Sequence, residues 1–183
     1  MAGIADEIFT IFERNGVLAY FGEPVSVTGH ALQTAHAGVR AGGAPALILA
    51  ALLHDIGHLI EPVPDDIAEW TVDARHEISG SRWLAQRFPA SVSEPVRLHV
   101  PAKRYLCAVD ADYFDALSSA SVHTLRLQGG PMTAPEIVAF EAEPFCQDAV
   151  RLRRWDDAGK AADGGPPPFA GYRDLIESLA LWP

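Results

Sequence analysis

A histidine–aspartate doublet, His54-Asp55, sits inside the apolar run AALLHDIGHLI, and no other feature restricts this chain so much. The run has the length and composition of a packed helix. An ionised Asp among Leu and Ile side chains is costly to bury unless a partner meets it, whereas Leu or Ala would pack there without penalty. Further ligand-type residues flank the doublet: His30, His76, His99 and Asp156. Four imidazoles and two carboxylates can hold two metal ions with one carboxylate as the bridge. A single structural zinc would need only four closed ligands, usually with cysteine. Cys107 and Cys146 are too far apart for such a motif. The pattern points to a buried two-metal centre carried on helices.

With 183 residues the chain fits one domain, large enough to bury a core without disulfides. No apolar run reaches 18 residues, so no membrane span is expected. The N-terminal MAGIADEIFTIFERNG is acidic early and has no basic region before an apolar stretch, so no signal peptide is expected. Sparse cysteine suits a reducing cytoplasm. A formal net charge of −10 argues against nucleic acid or an anionic membrane as partner. It also means that any anion site must be positive locally. No obligate protein partner is predicted.

Helical periodicity dominates, and strand patterns are absent. Ile4, Ile8, Ile11 and Phe12 recur at helical spacing, with Gly16 as the stop. A second helix is expected over Val27–Arg40. A third, over Pro45–Leu59, carries the doublet. The acidic, proline-bearing stretch 61–74 reads as a loop over the site, followed by a helix over Arg75–Arg87. Ser93-Glu94-Pro95 looks like a helix start, and Pro101 is expected to kink that helix just after His99. Helices are also predicted over Ser119–Leu127, from the Thr133/Glu136 capping pair, over Phe145–Lys160 and over Tyr172–Leu181. The fold class is an all-α bundle.

His54 and His58 are four residues apart and share a helix face; Asp55 is rotated from His54 by about 100°. His30, His76, His99 and Asp156 come from four other helices, and such convergence is how bundle cores build dinuclear sites. A lone His is more often a core or surface residue than a ligand, and His36 and His123 are read that way. His58 faces the site but reads as a residue that orients a ligand or a substrate oxygen. Lys103 lies four residues after His99, and Arg153 three before Asp156, so both cations are delivered to the metals by ligand-bearing helices.

The segments YFGE, HALQ, AALLHDIGH, HE, HVPAKRYL, SSASVHTL, QGGPM and RRWDDAGK, spread over nearly the whole chain, resemble the HD-domain superfamily, named for its His-Asp doublet. Most of that superfamily are metal-dependent phosphohydrolases. His76 and His99 match its dinuclear subset. More specifically, the sequence is similar to the mixed-valent diiron oxygenases related to myo-inositol oxygenase, and among them to small bacterial hydroxyphosphonate oxygenases that cleave carbon–phosphorus bonds. HVPAKRYL, QGGPM and RWDDAGK in that order carry most of the specificity.

This resemblance implies a single HD-type helical-bundle domain over residues 1–183 with a buried dinuclear site. It implies two Fe ions in the mixed-valent Fe(II)/Fe(III) state, O2 as co-substrate and a small-molecule phosphonate as substrate. His30, His54, Asp55 and Asp156 would hold one iron; Asp55 would bridge to the second, completed by His76 and His99. Tyr20 and Glu23 match residues that guard the site, the Tyr occupying an iron position until substrate displaces it. Lys103, Ser121, Thr124 and Arg153 would bind the phosphonate, and His58 would position the substrate hydroxyl or a proton.

Two substrates fit this reading. (R)-1-Hydroxy-2-(trimethylammonio)ethylphosphonate would yield glycine betaine and phosphate; 2-amino-1-hydroxyethylphosphonate would yield glycine and phosphate. A primary ammonium needs acceptors such as Glu23, while a quaternary one prefers aromatic faces. Trp70, in the loop over the site, tips the expectation to the trimethylammonium compound. The alternative is an HD-type phosphohydrolase of a nucleotide or phosphoester, using the same ligands with metal-bound hydroxide. His and carboxylate ligands suit Fe, Mn and Zn alike.

Overall fold

The computed structural model describes residues 3–17, 20, 24–61, 71, 73–160 and 168–182. Among the described residues there are α-helices and one 3-10 turn, Phe169–Tyr172, and no strand. The all-α expectation holds.

The centre of the molecule is α3 (Pro45–Leu53). Its sequence PALILAALL is apolar on all sides, so the helix can be stable only with neighbours on every face. Those neighbours are α2 (Val27–Arg40), α6 (Ala90–Val109), α10 (Cys146–Ala158) and α11 (Arg173–Leu179). Leu49, Ala50, Ala51, Leu52 and Leu53 are fully buried among them. Helix α1 (Ile4–Asn15) closes one side with Ala5, Ile8 and Phe12. A smaller apolar cluster of Leu98, Ala102, Phe140, Cys146 and Ala149 joins α6 and α10 to α9 (Ala134–Glu141).

The doublet does not continue the central helix. α3 ends at Leu53, His54 and Asp55 form a turn, and α4 (Ile56–Ile60) starts afresh. Asp55 has φ −100° and ψ 12°, outside helical values, which redirects its carboxylate relative to His54. The expected single helix over Pro45–Leu59 is therefore two helices with the ligand doublet at the joint. Next, α5 (His76–Ala85) packs its first turn against α4. Their backbones approach so closely that a Cβ on Gly57 would collide with the His76 carbonyl, so only glycine lets His76 reach the doublet.

The helix bearing His99 also differs from expectation. α6 starts at Ala90, after the Pro89 cap, and runs unbroken through Pro95 and Pro101 to Val109. Each internal proline forfeits a ladder hydrogen bond. Burial of Val92, Val96, Leu98, Val100 and Leu106 along the same helix outweighs that loss. α7 (Ala111–Asp115) and α8 (Ser119–Leu127) follow, the latter with the predicted bounds.

After α8 the chain turns through Gly129 and Gly130, at φ 97° and 75°, values that suit glycine alone. Arg104 of α6 holds this turn by donating from Nε to the Gly130 carbonyl at 2.8 Å, and from Nη2 to Glu136 at 2.7 Å. The Thr133/Glu136 capping box forms as expected. The turn and its clamp fix α8 against α6, which sets where Ser121, Thr124 and Gln128 stand. The loop expected over the site, most of which spans 62–70, lies outside the described residues, as does most of GGPPPF.

Candidate metal centre

Five helices or their ends deliver the six ligand-type side chains to one buried point. His30 comes from α2, His54 and Asp55 from the α3–α4 joint, His76 from the first residue of α5, His99 from α6 and Asp156 from α10. His30 and His54 are fully buried, and none of the six is more than 8% exposed. They fall into two groups that share Asp55: His30, His54 and Asp55 with Asp156 beside them, and Asp55, His76 and His99.

In the first group His30 Nε2 and His54 Nε2 are 3.1 Å apart. Asp55 Oδ2 lies 3.2 Å from His54 Nε2 and 3.8 Å from His30 Nε2, and Asp156 Oδ1 lies 3.3 Å from His30 Nε2. In the second group His76 Nε2 and His99 Nε2 are also 3.1 Å apart, with Asp55 Oδ1 at 3.3 and 3.7 Å from them. Donor atoms about 2.1 Å from one ion stand roughly 3.0–3.4 Å from each other, so both spacings suit a metal. Asp55 turns one oxygen to each group, as a bridging carboxylate must.

The imidazole tautomers support the same reading. His30 Nδ1 is 3.1 Å from the Gly159 carbonyl and His54 Nδ1 is 2.9 Å from the Ala51 carbonyl. A carbonyl can only accept, so each Nδ1 carries a proton and donates it. In the neutral rings the two facing Nε2 atoms then present lone pairs to each other, an arrangement that a cation between them stabilises. His99 is fixed likewise, its Nδ1 donating to Val96 O at 2.7 Å. Asp156 Oδ1 is buried with no hydrogen-bond partner among the described residues, leaving a lone pair for the same point. The residues present fit a two-metal site.

Charge follows the geometry. Burial alone would lower the pKa of His54, but the Asp55 carboxylate outweighs it and takes the group up to about 9. Burial would raise Asp55; the positive charge drawn to His54 and His76 holds it well below the usual carboxylate range. His99 is driven down to about 3, by burial first and then by positive charge on His76 and His54, so it stays neutral. The field at the cluster thus favours cations, while His99 remains an unprotonated donor.

A cavity opens on the metal-facing carboxylate and imidazoles, and the other residues expected at the site line it: Tyr20, His58, Lys103, Ser121, Thr124 and Arg153. Tyr20 stacks on His30 with centroids 3.9 Å apart and donates from its hydroxyl to Asp55 Oδ2 at 2.7 Å. It therefore sits beside the first metal group, as expected for a guarding residue. His58 stacks on His76 at 3.9 Å, and burial keeps it well below the ordinary histidine range, hence neutral. Glu23 lies outside the described residues, as does Trp70. His36 and His123 belong to neither metal group.

In the same cavity, Lys103 donates to Thr124 Oγ1 at 2.9 Å. Its pKa falls to about 7, because burial and then the neighbouring Arg153 charge disfavour the ammonium. Arg153 donates from Nη1 to Asp156 Oδ2 at 2.6 Å, so one guanidinium touches both the ligand set and the cavity. Sequence reasoning missed Lys160, whose Nζ donates to Ser121 Oγ at 2.8 Å and which lines the cavity. The signal was available: Lys160 follows Asp156 by four residues, as Lys103 follows His99. Gln128 was missed too. It continues the α8 face of Ser121 and Thr124 into the cavity, with Oε1 buried and without a partner among the described residues.

Comparison with known proteins agrees with this geometry. The model of the HD domain matches residues 27–142, a span that holds every ligand-type residue except Asp156. Over 96% of its length the chain is 41% identical to a [1-hydroxy-2-(trimethylamino)ethyl]phosphonate dioxygenase (glycine-betaine-forming) of Leisingera caerulea, covering 90% of that protein. It is 44% identical over 93% of its length to a hydroxymethylphosphonate dioxygenase of Gimesia maris, covering 85% of it. An uncharacterised protein of Acanthamoeba polyphaga mimivirus is 33% identical over 92% of the chain, with 78% of that protein covered. The family match spans most of the chain, and full-length similarity joins it to named dioxygenases. The chain belongs to the HD-domain family, in the group that includes the hydroxyphosphonate dioxygenases.

Proposed function

We propose that this protein is an iron- and O2-dependent dioxygenase that cleaves the C–P bond of a 1-hydroxyphosphonate. The observation that carries the proposal is one cavity lined both by the Asp55-centred cluster and by the cations Lys103, Arg153 and Lys160. His30, His54, Asp55 and Asp156 would hold one iron, and Asp55, His76 and His99 the other. Bound iron would supply Lewis acidity toward the substrate hydroxyl and the one-electron chemistry that O2 requires.

The chain's own residues bind and orient. Arg153 offers a planar fork, Lys103 and Lys160 offer point charges, and the Ser121 and Thr124 hydroxyls fill remaining lone pairs of a phosphonate dianion. Neutral His58 is available to hold the hydroxyl proton. Tyr20, bonded to Asp55 Oδ2, is the group that substrate would have to displace on arrival. The balanced reaction takes one hydroxyphosphonate and one O2 to a carboxylate and phosphate, breaking the C–H and C–P bonds and leaving one new oxygen on each product.

The two named relatives act on phosphonates that share the hydroxylated carbon and differ beyond it. That shared head is what the cluster and the cations would read. Among candidate substrates the trimethylammonio compound, giving glycine betaine and phosphate, is first. The amino analogue, giving glycine, and hydroxymethylphosphonate follow. The test is phosphate release from each compound by iron-loaded protein, with and without O2. Release is expected only with O2, and deuterium on the hydroxylated carbon should slow turnover. Equal release without O2 would make the protein a phosphohydrolase instead.

A pH effect follows from Lys103. With its pKa near 7, the free site loses one positive charge as pH rises through 7, and an anion that needs the ammonium must bring a proton in. Sulfate keeps its charge between about pH 6 and pH 9, so its inhibition constant should rise across that range in the wild type. In Lys103→Arg, whose guanidinium does not titrate there, the slope should vanish. An equally steep slope in Lys103→Arg would assign the titration to another group.

A further inference from the structure

Arg153 is the side chain on which the anion site turns, and its setting is unusual. It is buried, it bonds Asp156 through Nη1, and its Nη2 also reaches Ser121 Oγ at 3.5 Å. These contacts hold only its Nη1–Nη2 edge. Two residues outside the ligand set and outside the cavity lining hold the other. Asp157 accepts from Arg153 Nη2 at Oδ1 and from Nε, at 3.2 Å, at Oδ2, which is the two-pronged carboxylate–guanidinium fork. Tyr113, from the short helix α7, accepts from Arg153 Nε at 2.9 Å and donates its own hydroxyl to Asp157 Oδ2.

The three groups close a ring of hydrogen bonds: guanidinium to phenol, phenol to carboxylate, guanidinium to carboxylate. The ring occupies the Nε–Nη2 edge of Arg153 and leaves the Nη1–Nη2 edge turned to Asp156 and the cavity. Tyr113 is 8% exposed, and burial followed by the Asp157 charge keeps it a neutral phenol, able to donate. Asp157 also stands 3.6 Å from Lys160 Nζ, so one carboxylate steers two of the three cations. Neighbouring Asp156 and Asp157 thus divide the work: one faces the metal group and the other faces away, with Arg153 between them.

We infer that Tyr113 and Asp157 are positioning residues for substrate binding: they hold the Nε–Nη2 edge of Arg153 and so aim its Nη1–Nη2 edge, which also meets Asp156 and Ser121, at the cavity where the phosphonate would bind. The inference rests on the anion-site reading above. It extends the determinants of phosphonate binding to two residues, Tyr113 and Asp157, that line neither the metal groups nor the cavity.

The experiment uses iron-loaded full-length protein and methylphosphonate, an anion without the reactive hydroxyl, titrated calorimetrically against wild type, Arg153→Lys, Tyr113→Phe and Asp157→Asn. Wild type should bind, and Arg153→Lys should bind markedly less. Tyr113→Phe keeps the aromatic side chain and removes one oxygen, breaking the hydrogen-bond ring; it should weaken binding about five- to tenfold, the size expected for the net loss of one ordinary hydrogen bond. In turnover the same variant should raise KM more than it lowers kcat, with iron content at the wild-type level. Asp157→Asn should weaken binding more than Tyr113→Phe, and Asp157→Glu should recover part of the loss. If wild type and Arg153→Lys bind methylphosphonate equally, or neither binds, the anion-site reading fails and the inference with it. If Arg153→Lys loses binding while Tyr113→Phe matches wild type, the anion site stands and the positioning role is overturned. A Tyr113→Phe loss confined to kcat or to iron content would also overturn it, since that would mark a purely structural residue.

Discussion

Asp55→Ala is expected to reduce metal binding from two ions per chain to at most one and to lower turnover by about 10³-fold or more, equivalent to roughly 4 kcal/mol. The reason is geometric. Among the described residues, Asp55 alone belongs to both candidate groups, with Oδ2 toward His30 and His54 and Oδ1 toward His76 and His99. Without it the second group keeps two imidazoles and no charge. The other carboxylate of the cluster, Asp156, lies by the first group and already shares Oδ2 with Arg153. A useful contrast lies in stability. His54 and Tyr20 both lean on the Asp55 carboxylate, so the metal-free variant should be less stable than metal-free wild type near neutral pH. Iron should then raise the melting temperature of wild type far more than that of the variant. Metal analysis and a melting curve with and without iron read both effects. Two ions per chain in Asp55→Ala would refute the bridging role.

Removing the cations that line the cavity should give the second large effect, and Lys103 and Arg153 should fail differently. Lys103→Met keeps the apolar stem and deletes only the ammonium, which at its lowered pKa is already half neutral near pH 7. The folded protein and its iron content should survive. Substrate binding should weaken by about 2–5 kcal/mol, the usual cost of losing one partner of a buried charge-assisted contact. Arg153→Met should lose at least as much binding and also stability, about 3–5 kcal/mol, because the buried carboxylate of Asp156 would lose its ion-pair partner. Because Arg153 holds Asp156, iron affinity should fall in this variant and not in Lys103→Met. Steady-state kinetics, iron content and thermal melts separate the two. Unchanged KM in both variants would put the substrate elsewhere.

Much of this was legible because the cost of burial is local. A charged Asp and a His inside AALLHDIGHLI are visible in one window, and so are the spacings from His99 to Lys103 and from Arg153 to Asp156. Helix α8 and the capping box of α9 were legible for the same reason, since caps and turn residues act within a few positions. Lys160 carried the same kind of spacing signal, four residues after Asp156 at the end of the helix expected over Phe145–Lys160, and was not read.

Other features depended on long-range packing. Periodicity could not tell that the helix breaks at the doublet, since AALLHDIGHLI stays apolar across the break. The break follows from the need to aim both Asp55 oxygens at separate groups and to let α5 in against Gly57. Nor could proline content fix the start of α6, because whether Pro95 opens a helix or lies inside one depends on how much apolar surface the residues before it bury. Tyr113 and Asp157 are 44 residues apart, and only the meeting of α7 with α10 makes them partners.

The sequence by itself determined the all-α class, the identity of the ligand-type residues and the presence of cations near them. Each of these is written in residue type and in spacing of a turn or less. The tertiary structure decided which side chains share a point, which Asp55 oxygen faces which group, and how Arg153 is held. Those facts depend on the relative placement of α2, α5, α6 and α10. That placement is set by packing around α3, a sum over contacts that no short window contains.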